Sequence, residues 1–185
     1  PLNVLKSDNS TSAKEKKLNI TCSVGLPHLL FSEDDLEGFD SNFKIFPPLR
    51  SKTDQRALKE ALLEGVIDMV SSMHEPINIE QKQLEFDLAL PGTIALEACF
   101  GVLSNLFPLD KVLDFLIRGS ERFGLKRNII KPGSKADLTL FNPNSYSTLK
   151  DENLHSTSKN CAFINTALNG KVYGSLNNGI LTLNH

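Results

Sequence analysis

The sequence lacks the features that mark membrane, secreted and nucleic-acid-binding proteins. It contains no Trp, and its 20 basic and 22 acidic residues give a net charge of −2. These charges are mixed along the chain, so no basic patch predicts contact with nucleic acid. No run of about 18 apolar residues predicts a membrane span, and no stretch has the pattern of a secretory signal peptide. Composition therefore indicates a globular chain that binds neither membranes nor nucleic acids.

Cysteine is also scarce. The three cysteines, Cys22, Cys99 and Cys161, are far apart in the sequence. An odd number at this spacing favours reduced thiols over a disulfide framework or a Cys-x-x-Cys metal site. We therefore expect a cytoplasmic setting.

The length of 185 residues is enough for one domain or for part of a larger one. Hydrophobic residues make up 40% of the chain, so a core can form. The first residue is Pro rather than Met, which fits either a removed initiator Met or a piece of a longer chain. Residues 1–17 are polar and contain few large apolar side chains beyond the first five, and we predict that they are mobile.

Helices and strands alternate in the next part of the chain. The β-branched residues within 20–24 predict a strand. Residues 54–64 predict a helix that Thr53 caps and that ends at Gly65. The apolar run 66–70 then predicts a second strand. This order of strand, helix and strand is typical of an α/β fold.

Two more helices are predicted at about 93–106 and 109–124, because apolar residues recur there at spacings of three and four. The buried stripe of the second helix is predicted to contain Leu109, Val112, Leu113 and Leu116. The pattern changes to short strands after Gly124, at 137–141, 161–165 and 172–176. Asn178-Gly179 predicts a two-residue hairpin turn near the end. We therefore divide the chain into an α/β part, residues 18–125, and a small β part, residues 126–185.

Three segments of the chain resemble dihydroorotase, which belongs to the branch of the amidohydrolase superfamily that includes hydantoinases and allantoinases. They are a Pro-Pro-Leu-Arg stretch at 47–50, a Glu-Phe-Asp stretch at 85–87 and a Lys-Pro-Gly-x-x-Ala-Asp stretch at 131–137. The resemblance extends from about Asn19 to Leu181. It implies the C-terminal half of a (β/α)₈ TIM-type barrel of a metal-dependent hydrolase, followed by part of a small β-sandwich domain.

The same resemblance implies zinc-dependent, reversible cyclisation of N-carbamoyl-aspartate to dihydroorotate, a step of pyrimidine synthesis. The family's His-x-His metal pair and its bridging acidic or carbamylated Lys ligand belong to the first half of the barrel, and nothing in this chain matches them. A full barrel needs eight βα units and roughly 250 residues, of which we expect three or four strands here. We therefore expect that this chain alone binds no zinc.

The loop that follows the predicted strand 66–70 resembles the family's catalytic turn without its central residue. In the family this turn reads Ser/Thr-Asp-His-x-Pro, and the Asp is a metal ligand and the proton shuttle. Here Ser72, His74 and Pro76 match, but Met73 stands at the Asp position. A thioether cannot carry a proton and is a poor ligand for zinc. Loss of a general base typically costs about 10²–10⁴ in rate, so the resemblance predicts an inactive turn.

Two other site positions depart from the family in the same direction. The family usually has Asn before Pro-Pro-Leu-Arg, where Phe46 stands here. The family's Pro-His-His becomes Pro27-His28 followed by Leu29, so that one His is left. Three departures at three site positions indicate a degenerate active site.

The remaining candidates for a site each have a simpler alternative. A remnant metal site could contain His28, His74 and Cys22, and His74 could instead contact substrate, although a hydrogen-bonded loop residue is the simpler explanation for His74. Arg50 could bind an anion or form a salt bridge with Asp54. Gly92 matches a family glycine that faces the substrate, or it serves only the turn before a helix.

Three hypotheses follow. In the first, the chain is the C-terminal half of a dihydroorotase-like protein, inactive alone and bound to its own N-terminal half or to a second copy. In the second, it is a non-catalytic homologue that acts as a structural partner of aspartate carbamoyltransferase. In the third, Phe46 and Met73 reshape the pocket of a related enzyme for another ureide. An incomplete barrel leaves strand edges and apolar surface uncovered, so we expect that the chain is not a stable monomer.

Overall fold

The computed structural model describes residues 15–16, 18–125 and 129–184. Apart from Glu15 and Lys16, the segment 1–17 that the sequence predicts to be mobile lies outside the described residues. None of the described helices is both long and apolar enough to cross a bilayer.

A strand–helix–strand unit begins the fold. Strand β1 (Ser23–Gly25) pairs in parallel with β2 (Met69–Ser71), and helix α2 (Lys52–Leu63) connects them after the short helix α1 (Leu26–Leu30). The predicted order is confirmed, but both strands are short and begin three residues later than predicted. The first residues of the predicted second strand are instead turned back on α2, because Val66 N and Ile67 N both donate to the carbonyl of Ala61.

The start of α2 differs from the prediction. Ser51, not Thr53, is the N-cap residue, and its hydroxyl accepts a hydrogen bond from Asp54 N at 3.2 Å. Both residue types are suitable caps. The helix therefore begins two residues earlier than expected, which completes an extra half-turn beside β1.

The parallel sheet is smaller than expected. Within the described ranges it consists of β1 and β2, with one isolated parallel bridge between His74 and Thr93. The expectation of three or four barrel strands is therefore wrong for the described residues. A third strand does not extend from Thr93, because the next backbone N–H, that of Ile94, donates to Asn160 O instead.

Three helices follow the sheet: α3 (Ile79–Lys82), α4 (Cys99–Leu106) and α5 (Leu109–Arg122). Helix α4 was predicted from residue 93 but begins at Cys99. Residues 93–98 form a turn instead, and two of its backbone N–H groups donate to the ring of His74.

Helix α5 carries two apolar faces, of which only one is covered. Val112 and Phe115 are buried, whereas the predicted stripe included three leucines that are not. The side chains of the second face are 36% to 49% exposed and recur at helical spacing; they are Leu109, Leu113, Leu116 and Ile117. The prediction failed because periodicity reports that a face is apolar, not that a neighbour covers it.

The rest of the chain forms an antiparallel sheet in the order β3 (Asp137–Thr148), β4 (Ala167–Asn177) and β5 (Ile180–Leu183). Asn178 and Gly179 join β4 to β5 with φ of 51° and 80°, which confirms the predicted hairpin turn. The predicted strand at 161–165 is wrong. These residues form turns, and Asn165 has a φ of 65°.

One continuous core links the two sheets. Buried side chains from β1, α2, α4 and α5 belong to the same hydrophobic cluster as Phe163 and Leu168. Glycines allow the closest approaches between α4 and β4. A Cβ on Gly101 would lie 2.6 Å from Leu168 Cβ, and one on Gly170 would lie 2.5 Å from the Phe100 ring. The predicted boundary at residue 125 thus separates two sheets that share a core.

Candidate functional site

A pocket lies beside the carboxyl ends of β1 and β2. Because the two strands are parallel, the residues that follow them come close together at this edge of the sheet. Helix α1 follows β1, and the turn that contains Met73 follows β2. The pocket has a volume of about 570 Å³. Its lining is mainly apolar and consists of Ser23, Val24, Gly25, His28, Pro47, Pro48, Arg50, Leu58, Ser71 and Met73.

Met73 adopts a left-handed backbone conformation, with a φ of 53°. This region is uncommon for residues other than Gly, Asn and Asp. Two serines stabilise the turn, since Ser71 Oγ accepts from Met73 N at 3.2 Å and Ser72 Oγ accepts from His74 N at 3.4 Å. The turn therefore keeps a specific shape although its central side chain cannot do acid–base chemistry.

The thioether of Met73 fits only because residue 25 is Gly. A Cβ at position 25 would lie 2.0 Å from Met73 Sδ and 2.8 Å from His28 Nδ1. Atoms are not tolerated at such distances, so a side chain at position 25 and the present positions of Met73 and His28 exclude one another. Gly25 thus makes room for the sulfur and the imidazole at one point of the pocket wall.

The ring of His28 has one nitrogen bound and one without a partner. Nε2 lies 2.9 Å from the carbonyl oxygen of Pro47. A carbonyl only accepts, so Nε2 carries the hydrogen and Nδ1 has a lone pair. Nδ1 is buried and has no hydrogen-bond partner within the described part of the chain. Burial lowers the pKa of His28 below its usual 6.5, although the bond to Pro47 opposes this shift.

Arg50 lies exposed at the rim of the same pocket. The predicted salt bridge to Asp54 is not formed, because the Asp54 carboxylate accepts from Ser51 Oγ at 2.9 Å instead. Among the described residues no ion pair involves the Arg50 guanidinium. It is therefore available as a positive charge beside the pocket.

His74 lies outside the pocket lining and holds the neighbouring loop. Its Nδ1 accepts hydrogen bonds from the backbone N–H groups of Ala95 and Leu96, at 3.2 and 3.3 Å. Its own backbone forms the parallel bridge to Thr93. The ring nitrogen that could bind a ligand is thus engaged with the turn before α4.

Gly92 is also outside the pocket. It has a φ of 142°, and a Cβ there would lie 3.0 Å from the side chains of Glu75 and Ile77. Its N–H donates to Lys44 O. Its position is explained by close packing of the loop that follows Met73.

The remnant metal site proposed from the sequence is not assembled. Cys22 donates from Sγ to Val66 O and from its backbone N–H to Asp68 Oδ2, while His28 and His74 have the separate partners described above. In the described ranges no group of three or more His, Cys, Asp or Glu side chains could hold a metal ion. The three residues were grouped because strand ends converge, but their side chains are fixed by different neighbours.

Zinc does not fit the residues that line the pocket. The unpartnered Nδ1 of His28 would suit a metal, but zinc needs three or four nitrogen, sulfur or oxygen ligands. Among the described residues, His28 is the only imidazole in the lining, and no carboxylate or thiol belongs to it. The nearest second donor is the neutral thioether of Met73, which zinc does not favour. The site can hold a ligand, and the His28 imidazole could accept a proton, but the described lining has no carboxylate and too few metal ligands to generate hydroxide at neutral pH.

Asn160 is a structural residue that sequence reasoning missed. It is 4% exposed. Its side-chain amide donates to Glu75 O at 2.9 Å and to Gly92 O at 3.2 Å, and its Oδ1 accepts from Ile77 N at 3.1 Å. Asn160 therefore joins the loop after Met73 to the segment before Thr93. No local pattern could reveal this, because the partners are 68 to 85 residues away.

Replacing Asn160 with Ala is expected to destabilise the protein by about 3 kcal/mol or more. The change removes three hydrogen bonds and leaves the carbonyls of Glu75 and Gly92 and the Ile77 N–H without this partner. The loss is about 1 kcal/mol for a group that water can reach and up to about 3 kcal/mol for one that stays buried. Urea unfolding of the variant and wild type measures the difference. Asn42→Ala is the matched control, since the described structure gives the Asn42 amide no hydrogen bond, and it should change stability by less than about 0.5 kcal/mol. Equal losses in the two variants would contradict the role of Asn160.

Lys82 is a buried cation near this loop. It is 2% exposed, and its Nζ donates to the carbonyls of Lys44 and Leu90 at 3.1 Å each. Burial lowers the pKa of Lys82 to about 8, with a further lowering by the charge of Lys44, while Asp40 and Glu75 oppose it. The amine is therefore easier to deprotonate in the folded chain than in the unfolded one.

Wild type is expected to gain stability relative to Lys82→Met as pH rises from 8 to 10.5. In this window the unfolded Lys82 keeps its proton and the folded one loses it, so folding releases a proton and is favoured by high pH. The slope is at most about 1.4 kcal/mol per pH unit. Urea unfolding of both proteins at pH 7, 8, 9 and 10 measures it. A constant difference across this range would refute the shift.

No protein-family model matches the chain. Over 174 residues it is 36% identical to dihydroorotase from Caldicellulosiruptor saccharolyticus, which covers 90% of this chain and 40% of that protein. It is 35% identical over 158 residues to dihydroorotase from Bacillus subtilis, which covers 82% and 37%. The chain thus spans about two fifths of the length of the curated relatives it matches.

Solved structures with the same fold were also found. D-hydantoinase (dihydropyrimidinase) from Thermus sp. has a TM-score of 0.83 and 26% identity over 94% of this chain and 41% of that one. An inactive dihydroorotase-like domain of the Chaetomium thermophilum CAD-like multifunctional protein has a TM-score of 0.64 and 21% identity over 95% and 47%. The described fold therefore corresponds to part of an amidohydrolase TIM barrel.

Proposed function

Since the chain is a homologue of part of the dihydroorotases, we propose that it forms the C-terminal half of a dihydroorotase-like protein and has no dihydroorotase activity by itself. The observation that carries this proposal is the pocket beside β1 and β2. Met73 stands there at the position that the resemblance assigns to the catalytic Asp, and no carboxylate belongs to the pocket lining within the described ranges.

The chemistry of the reaction supports this proposal. Hydrolysis of a cyclic amide needs hydroxide at neutral pH, which a metal supplies, and a carboxylate that takes and returns its proton. The pocket offers a neutral imidazole, a thioether, two serine hydroxyls and one guanidinium. These groups can bind a small molecule, but none of them replaces both the metal and the base.

Zinc analysis tests the proposal. We expect much less than one zinc ion per chain after dialysis against micromolar zinc, because the described lining supplies one imidazole and no thiol or carboxylate. Stoichiometric zinc would instead support the third hypothesis, an active enzyme for another ureide. The described lining of the pocket does not include Phe46, which is 70% exposed, so the structure offers little support for a pocket that this side chain reshapes.

The domain arrangement is part of the same proposal. Residues 18–125 would belong to the barrel and residues 126–185 to the small β domain. The parallel pair β1–β2 and the antiparallel sheet β3–β4–β5 support this division. The partner that completes the barrel would be the chain's own N-terminal half or a second copy.

A second candidate function is that of a structural partner for aspartate carbamoyltransferase. Two observations favour it: one solved neighbour is an inactive dihydroorotase-like domain of a multifunctional protein, and this chain keeps an apolar core around a pocket whose described lining has no carboxylate. Co-sedimentation with the aspartate carbamoyltransferase of the same organism tests it. Absence of a complex, together with dihydroorotase activity of the full-length parent, would argue against this function.

A cytoplasmic setting belongs to the proposal as well. Cys99 and Cys161 are free thiols, and burial raises the pKa of each to about 11. Such thiols are protonated and unreactive at neutral pH. They suit a reducing compartment.

A further inference from the structure

The pocket wall holds an unusual pair of donor atoms. Met73 Sδ and His28 Nδ1 lie 2.0 Å and 2.8 Å from the same point, the place where a Cβ on Gly25 would stand. The two atoms are therefore no more than about 5 Å apart. Metal–sulfur and metal–nitrogen bonds of about 2.3 and 2.0 Å reach across about 4.3 Å at most. One ion can therefore join the two atoms if Met73 Sδ lies within that distance of His28 Nδ1 or moves towards it by about half an ångström.

The state of His28 suits metal binding. Its Nε2–H donates to the Pro47 carbonyl, which leaves the lone pair on Nδ1. Histidines that bind metals commonly donate their other ring N–H to a carbonyl or carboxylate in this way. Nδ1 itself is buried without a hydrogen-bond partner in the described part of the chain, which is costly for a polar atom unless a ligand satisfies it.

From this geometry we propose that His28 Nδ1 and Met73 Sδ bind a soft monovalent metal ion of the Cu(I) type at the wall of the pocket. Thioether sulfur selects soft ions, and imidazole also suits copper. Low coordination numbers are acceptable to such an ion, whereas zinc requires more and harder ligands.

The charges around the pair favour a single positive charge. No carboxylate lines the pocket, and the guanidinium of Arg50 lies at its rim. At the same distance, the positive charge of Arg50 repels a divalent ion twice as strongly as a monovalent one. No anion in the described lining offsets this repulsion. The flexible side chain of Met73 can move to admit an ion, since Met has three rotatable bonds. The site follows from the two donor atoms alone and does not depend on the proposed function.

The chain offers a site-specific probe, because it contains only two methionines, Met69 and Met73. Cysteine thiols also bind soft ions, so total uptake by the protein would not identify the site. We therefore propose NMR of the full chain labelled with ¹³C at the methionine methyl groups. Ag(I), which has the same charge and softness as Cu(I) and no redox chemistry in this range, is titrated in chloride-free buffer.

We expect the Met73 methyl signal to shift when Ag(I) binds and to stop shifting once one ion occupies the site. The Met69 signal should stay in place. Met69 Sδ lies beside Gly119 of α5, and Met69 does not belong to the described lining of the pocket. Met73→Leu assigns the signals and should remove one bound Ag(I) per chain in equilibrium dialysis, whereas Met69→Leu should remove none. His28→Asn should weaken the Met73 response at least tenfold, and Zn(II) should cause no shift.

Three results would overturn the proposal. They are a Met73 methyl that does not respond to Ag(I), a response of equal affinity in His28→Asn, and equal uptake by wild type and Met73→Leu. The Met69 signal reports whether Met73→Leu and His28→Asn are folded, and the Met73 signal does so for Met69→Leu, so loss of binding cannot be mistaken for unfolding. An activity assay does not bear on these outcomes, and the proposal therefore fails or survives separately from the proposed function.

Discussion

The purified chain is expected to hydrolyse no dihydroorotate, even with excess zinc. In the proposed function Met73 stands where the family has its proton shuttle, and loss of a general base alone costs about 10²–10⁴ in rate. Zinc does not fit the remaining donors, so the hydroxide that attacks the ring is not generated either. These losses together should place turnover below detection. The measurement is the absorbance of dihydroorotate at several zinc concentrations, with an active dihydroorotase such as that of Bacillus subtilis as positive control.

A variant tests whether any residual activity comes from this chain or from a contaminating enzyme. Any residual activity should be unchanged in Met73→Leu, because Met73 does no chemistry in this proposal. Turnover that a chelator abolishes and that Met73→Leu alters would show that the chain is an enzyme. In that case the third hypothesis, a related hydrolase with a reshaped pocket, would replace the first.

The second large effect concerns association. The isolated chain is expected to sediment as a dimer or a larger species at micromolar concentration, because the second face of α5 exposes four large aliphatic side chains at helical spacing. Contiguous apolar patches of more than a few hundred Å² rarely remain uncovered on soluble monomers. Sedimentation velocity of the chain at several concentrations measures this association.

Matched variants locate the surface. Leu113→Glu with Leu116→Glu should shift the chain towards monomer, since both side chains belong to the exposed face of α5. Leu181→Glu with Leu183→Glu is the control, because these leucines of β5 are just over half exposed but lie on another element. A compact monomer of wild type that binds no exposed-surface dye would contradict the incomplete-barrel proposal.

The fold could be predicted from the sequence where local signals decide the structure. Helix α2 was predicted within two residues at either end, and the Asn178-Gly179 hairpin was predicted correctly, because caps, periodicity and turn chemistry act over a few residues. Strands β1 and β2 begin later than predicted, because β-branched residues such as Val66 and Ile67 also occur in buried turns. Their final role depends on the Ala61 carbonyl, which a strand pattern does not report.

The candidate site was only partly predictable. The predicted replacement at Met73 rests on the turn in which it lies and stays a prediction, whereas the structure brings Met73, His28 and Arg50 to one pocket. The grouping of His74 and Cys22 with them could not be judged, since each is held by a backbone partner far away in sequence. Gly25 gave no signal of its own, because its importance comes from the space it leaves for two side chains of other elements.

The hydrogen bonds of Asn160 have a consequence for the order in which the chain can fold during synthesis. They close loops of 68 to 85 residues, and long loops lose the most conformational entropy on closure. A ribosome releases the chain from the N-terminus, so strands β1 and β2 emerge long before Asn160 does. The Glu75 carbonyl and the Ile77 N–H must therefore wait for their side-chain partner until Asn160 has emerged.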